Sequence, residues 1–148
     1  MSATISDAAL RYARIALGTA FLSAVASRFG LWQGTPGLSR FPAFIAHTGQ
    51  VNAFMPAVTI PFLAWAATFL EVACGLGLVL FGLLPARIVA VSVWPRILAF
   101  ASAVLLLLFA LAMTISLGPK QPLDYSVFSA SACALLLAIY PVSPSSPA

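Results

Sequence analysis

The chain has 148 residues, of which 62% are hydrophobic and only 7% charged, with a mean hydropathy of +1.07, far outside the range of soluble domains. A water-soluble fold of this length cannot hide so much apolar surface. The net charge of +4 comes from seven widely spaced bases against three acids, which leaves no basic cluster for a nucleic-acid partner and suits bases flanking membrane segments.

The reading that follows is one all-α domain over residues 1–140, an antiparallel four-helix transmembrane bundle. The first span, over residues 8–29, opens with Arg11 and Arg14 and has the core IALGTAFLSAVA. It leaves the membrane through Ser27 to Trp32, where an aromatic belt and a snorkelling Arg28 account for the composition. Basic residues, a short apolar core and Ala24-Val25-Ala26 also match a secretory signal with a small-residue cleavage site. Cleavage would leave three spans and remove a packing partner for their polar positions.

Residues 30–55 form a longer joint, with Gly34, Pro36, Gly37 and Pro42 ahead of FPAFIAHTGQVNAFM. Phe41, Phe44, Ile45, Val51, Phe54 and Met55 suit a short half-buried interfacial helix; an ordered loop over the bundle fits equally. The second span, over residues 56–84, is the longest and carries Glu71 in its middle. The third, over 88–117, contains Pro95 and Arg96, and Pro95 predicts a kink or loosened backbone. The fourth covers 123–140. Turns at LLPAR and GPKQP suit antiparallel neighbours, and the tail 141–148, PVSPSSPA, reads as disordered.

A carboxylate in hydrocarbon must be neutralised, hydrogen-bonded or used. With both termini cytoplasmic, the rise of about 1.5 Å per residue puts Arg96 within reach of Glu71, with Arg14 as second choice. The pair either locks the helices or serves a proton or a ligand at the end of a cavity. On the other rim Arg28, Lys120, Asp124 and Tyr125 read as one polar cluster, either a salt bridge or a site for an anionic or quinone-like head group. Charge alone does not orient the chain, because Arg11, Arg14 and Arg87 on one side balance Arg28, Arg40 and Lys120 on the other.

Gly75, Gly77 and Gly82, with Ala73 and Gly77 as a small-xxx-small pair, read as close helix packing rather than a nucleotide loop. Cys74 and Cys133 each stand alone, so there is no CxxC redox pair or zinc set. His47 is the only histidine, which excludes a four-ligand metal site or paired haem histidines. No intrinsic cofactor or metal is expected.

The segments LRYARIALGTAFLSAVASRFGLW, ATFLEVACGLGLVLFGL and LGPKQPLDYSVFSASACALLLA occur in an order that resembles the DoxX family of small four-helix bacterial membrane proteins. The resemblance covers most of residues 10–139. Members of this kind often carry an acid where Ser27 precedes Arg28 here, which leaves Asp124 as the expected partner of Arg28; VWPR in the third span has no counterpart. Relatives include the small subunit of an archaeal thiosulfate:quinone oxidoreductase. The resemblance implies an inner-membrane subunit, accessory to a redox complex or interacting with quinone, with membrane lipid and a soluble or membrane redox partner around it. The alternatives are a quinone-linked oxidoreductase of small sulfur compounds, or a carrier of a small solute or proton, which with four helices per chain needs a homo-oligomer.

Overall fold

The computed structural model describes residues 2–32 and 40–140, and among them the secondary structure is entirely helical. Gly34, Pro36 and Gly37 of the first joint and the tail 141–148 lie outside the described residues. Seven α-helices are present: α1 (Ser2–Arg28), α2 (Phe41–Val51), α3 (Ile60–Leu83), α4 (Ala86–Val91), α5 (Trp94–Leu117), α6 (Lys120–Asp124) and α7 (Val127–Ile139). A single 3-10 turn, Ala57–Thr59, leads into α3.

α1 buries a stripe at Arg14, Leu17, Phe21, Val25 and Arg28, a spacing of three and four that keeps one face of a helix turned inward. It stops because Gly30 takes φ +71, Gly30 N–H donates to the Ser27 carbonyl and Leu31 N–H to the Ala26 carbonyl. That is the paired closure of a left-handed helix cap, which a side chain at position 30 would strain. α3 buries Ile60, Ala64, Thr68, Glu71, Gly75, Leu78 and Gly82 on the same three-four rhythm. Glu71 therefore stands on the inward stripe.

α1 and α3 run antiparallel in backbone contact. A methyl group at Gly18 would come within 2.7 Å of the Gly75 carbonyl and 2.9 Å of Val79 N, and one at Gly82 within 2.6 Å of Ile15. The small residues that bring these helices together are thus Gly18, Gly75 and Gly82. The expected Ala73/Gly77 pair does not do this: Ala73 is exposed and Gly77 faces Leu98 of α5, because both lie off the inward stripe. α5 and α7 form a second antiparallel pair, tied where Ser131 Oγ donates to the Ala103 carbonyl at 2.9 Å. The core between the pairs is made of Leu17, Phe21, Cys74, Leu78, Ala99, Ala103, Ala134 and Leu137.

Two expected spans break, and of the helix and the loop that fitted the segment after Arg40 equally, the helix, α2, is found. Residues 88–117 are two helices, since the chain turns extended at Ser92 and α5 restarts with Pro95 in its first turn, the helical place where proline's missing N–H costs nothing. The GPKQP turn contains α6, and the last helix is broken at Ser126, which adopts φ 55.

Two stretches, Ala57–Leu83 and Trp94–Leu117, are long and apolar enough to cross a membrane, and only 33% of each is buried. Their outward faces expose Phe62, Phe69, Leu76, Leu80, Phe100 and Leu108. A core helix of a soluble protein hides such residues; these present them.

Candidate functional site

Glu71 is 3% exposed and its partner is Arg28. Arg28 Nη2 donates to Glu71 Oε1 at 2.9 Å, Nη1 lies 2.5 Å from Oε2, and Nη1 donates to Thr68 Oγ1 at 3.1 Å. Thr68 Oγ1 in turn donates a hydrogen bond to the Ala64 carbonyl at 2.8 Å. Arg28 Cζ sits 3.6 Å from the centre of the Phe44 ring, a cation–π cover for the guanidinium face. Among the described residues Glu71 Oε2 accepts no hydrogen bond.

The geometry follows from register. Gly18 faces Gly75 and Ile15 faces Gly82, so Arg28 arrives level with Thr68, and α3 continues beyond it toward Ile60 for about 12 Å at 1.5 Å per residue. α2 occupies that space, packed on α3 and α5, with Phe44, Thr48 and Val51 turned inward. An aromatic group closes the outside edge. Phe41 lies 4.3 Å from Trp65 and 5.7 Å from Phe29, and Trp65 is 5.7 Å from Phe69, all between ring centroids.

His47, also on α2, feels the same centre. Burial disfavours its imidazolium and the positive charge of Arg28 adds to that, while a hydrogen bond with Gln50 partly offsets both, so its pKa falls below the ordinary 6.5.

Arg96 is therefore not the partner of Glu71. It projects instead at the opposite end of the bundle, where its Nε donates to the Ala138 carbonyl at 3.1 Å. Arg14, the second choice, is buried with α7, its Nη2 3.4 Å from the Leu137 carbonyl. The expected rim cluster also dissolves. Lys120 and Asp124 form an exposed i,i+4 ion pair on α6, Tyr125 is exposed, and Arg28 is inside with Glu71 rather than with Asp124. The error was in depth: α1 ends beneath α2, not at the surface.

No family model matches the chain, and neither a curated protein nor a solved structure does.

Sequence reasoning missed the Arg28–Glu71 pair although a signal for it exists. Arg28 follows Arg14 by fourteen residues, two full repeats of the stripe that carries Leu17, Phe21 and Val25, so it had to face the same way. Cys74 and Cys133 are free thiols. On the α5 side of α3, away from Trp65 and Phe69, an apolar groove of about 350 Å³ has Cys74 and Leu105 at its floor and Leu70, Phe100 and Leu108 along its walls. Such a groove takes an acyl or isoprenoid chain but orients no polar head.

Proposed function

We propose that the chain is an integral protein of the bacterial cytoplasmic membrane, similar to the DoxX family, in which α1, α3, α5 and the broken α6–α7 helix cross the bilayer and α2 lies at one interface. The outward Phe and Leu residues of α3 and α5 support the membrane reading. So does a charge asymmetry hidden in the sequence. With Arg14 and Arg28 both buried in the bundle, one end carries Arg11, Arg87 and Arg96, and the other Arg40 and Lys120. The basic excess favours the end that holds the N-terminus as cytoplasmic.

Its function in this reading is that of an accessory, non-catalytic subunit of a membrane redox system that receives a quinone-class ring at the Arg28–Glu71 centre. The carrying observation is a buried ion pair whose Oε2 lies against Arg28 Nη1 and accepts from no other donor among the described residues, bordered by Phe41, Phe44 and Trp65. A quinol hydroxyl donates to such an oxygen, and the aromatic edge stacks on the ring. Entry requires α2 to lift, since the pair is closed off by Phe44. A soluble or membrane redox partner would supply or take the electrons, because the residues of the centre carry no redox group.

The test is quenching of Trp65 fluorescence by a short-chain ubiquinone in nanodiscs, in a W32F/W94F background. Saturable quenching whose affinity Glu71→Gln weakens, measured well below that variant's own melting temperature, supports the reading. Linear quenching, equal in both proteins, refutes quinone binding; release of the chain by alkaline carbonate refutes membrane insertion.

A further inference from the structure

Arg14 is 1% exposed, the largest fully buried side chain of the molecule. Its Nε and Nη1 have no hydrogen-bond partner among the described residues, and Nη2 has only the long contact to the Leu137 carbonyl. A buried guanidinium without an anion costs several kcal/mol, yet no carboxylate is at hand. Glu71 is committed to Arg28 and Asp124 to Lys120. Asp7, the remaining acid, lies seven residues before Arg14 on the same helix, about 10 Å along its axis, and forms no ion pair among the described residues.

Arg14 lines a cavity of about 160 Å³ whose other walls come from the break between α4 and α5, with Val89, Ser92 and Pro95 around it and Arg96 at its exposed mouth. At roughly 30 Å³ per water the space equals about five waters, enough for one tetrahedral oxyanion. Arg96 has engaged only its Nε, with the Ala138 carbonyl, so its terminal nitrogens remain to meet an anion from the opposite side. The positive end of the 24-residue helix α5 points the same way. Arg87 and Arg11 flank this end of the bundle, and Arg11 closes it by donating to the Leu84 carbonyl at 2.7 Å.

We propose that the cavity between Arg14 and Arg96 binds a phosphate-type oxyanion, with Arg14 as the buried ligand and Arg96 as the gate. Two sources present that chemistry, the phosphodiester of an anionic lipid and a free phosphate in solution. In either case the anion supplies the countercharge that no acid among the described residues gives Arg14. The site is about 20 Å along α1 from Arg28, at fourteen residues of 1.5 Å each, so it is independent of the quinone centre.

The experiment uses the full chain in a neutral detergent and follows its melting temperature at constant ionic strength, with chloride as reference. One arm adds inorganic phosphate, the other phosphatidylglycerol against phosphatidylcholine. Stabilisation by phosphatidylglycerol alone supports the site with a lipid occupant, and stabilisation by phosphate supports it with a soluble one. In Arg96→Ala the apparent affinity for the active probe should weaken about tenfold, the usual scale of one lost charge-assisted hydrogen bond. Arg14→Met should melt higher than the parent without added anion and respond to neither probe. A cavity filled only with water predicts no response of the parent to either probe, and that result overturns the proposal, as does an unchanged affinity in Arg96→Ala. Arg96→Ala keeps the test decisive if Arg14→Met does not fold.

Discussion

Removing one partner of the Arg28–Glu71 pair should cost far more than removing both. Arg28→Met deletes the 2.9 Å hydrogen bond to Glu71, the 3.1 Å hydrogen bond to Thr68 and the Phe44 contact, and it leaves a carboxylate that is 3% exposed without a countercharge. Breaking a buried pair in this way costs about 3–5 kcal/mol, whereas replacing both members by apolar side chains of similar volume is near neutral. Arg28→Met/Glu71→Leu should therefore recover most of the loss, with a coupling energy of at least about 3–5 kcal/mol in the double-mutant cycle. At about 1.4 kcal/mol per tenfold, the single variant shifts the folding equilibrium by roughly two to three powers of ten. Reversible unfolding in mixed micelles, titrated with a denaturing detergent, measures all four proteins. A double-variant loss equal to the sum of the two single losses would show that the two side chains do not depend on one another, and the assignment of this pair as the lock between α1 and α3 would fall.

Gly18→Ala should destabilise by about 1–3 kcal/mol, because its methyl meets the backbone of Gly75 and Val79, which cannot yield as a side-chain tip can; an unchanged unfolding midpoint would contradict the close approach of α1 and α3. Docking of α2 should weaken in acid. His47 has a folded-state pKa below 6.5, so undocked α2 takes the proton first as pH falls through 6.5, and docking is regained as pH rises back through that window. Hydrogen exchange over residues 41–51 between pH 7.5 and 5 reads this directly, and His47→Gln should flatten the profile. Lys120→Ala should leave the unfolding midpoint unchanged within error, since its ion pair with Asp124 stands in solvent, with side chains 84% and 56% exposed.

The all-helical class was legible because apolar runs of 24 residues separated by Gly and Pro have few other solutions. What composition could not report is where an apolar run breaks without a polar residue to mark it. IVAVSVWPRILAF reads as one span kinked or loosened at Pro95, yet the break comes earlier, where Ser92 turns extended, and Pro95 seats itself in the first turn of a new helix. The ends of helices were missed for a related reason. Proline and glycine announce a turn, but Lys120–Asp124 shows that a segment with Pro119 as its cap and Pro122 within its first turn still winds one helical turn.

The pairing of charges failed on a different ground, which the two arginines of α1 make plain. Arg14 and Arg28 share one face of one helix and both are buried, yet one meets a carboxylate and the other a cavity. Assigning Glu71 to Arg96 assumed that helices begin and end level with one another, so that depth could be counted from the ends. α1 violates this: it stops level with Thr68 while α3 goes on toward Ile60, and α2 covers the step. The inward stripe was the better guide, because facing is fixed by spacing within a helix whereas depth depends on its neighbours. Read by facing, Glu71 and Arg28 belong to the core of the first helix pair, and Arg14 is left in the same core with no acid among the described residues to answer it.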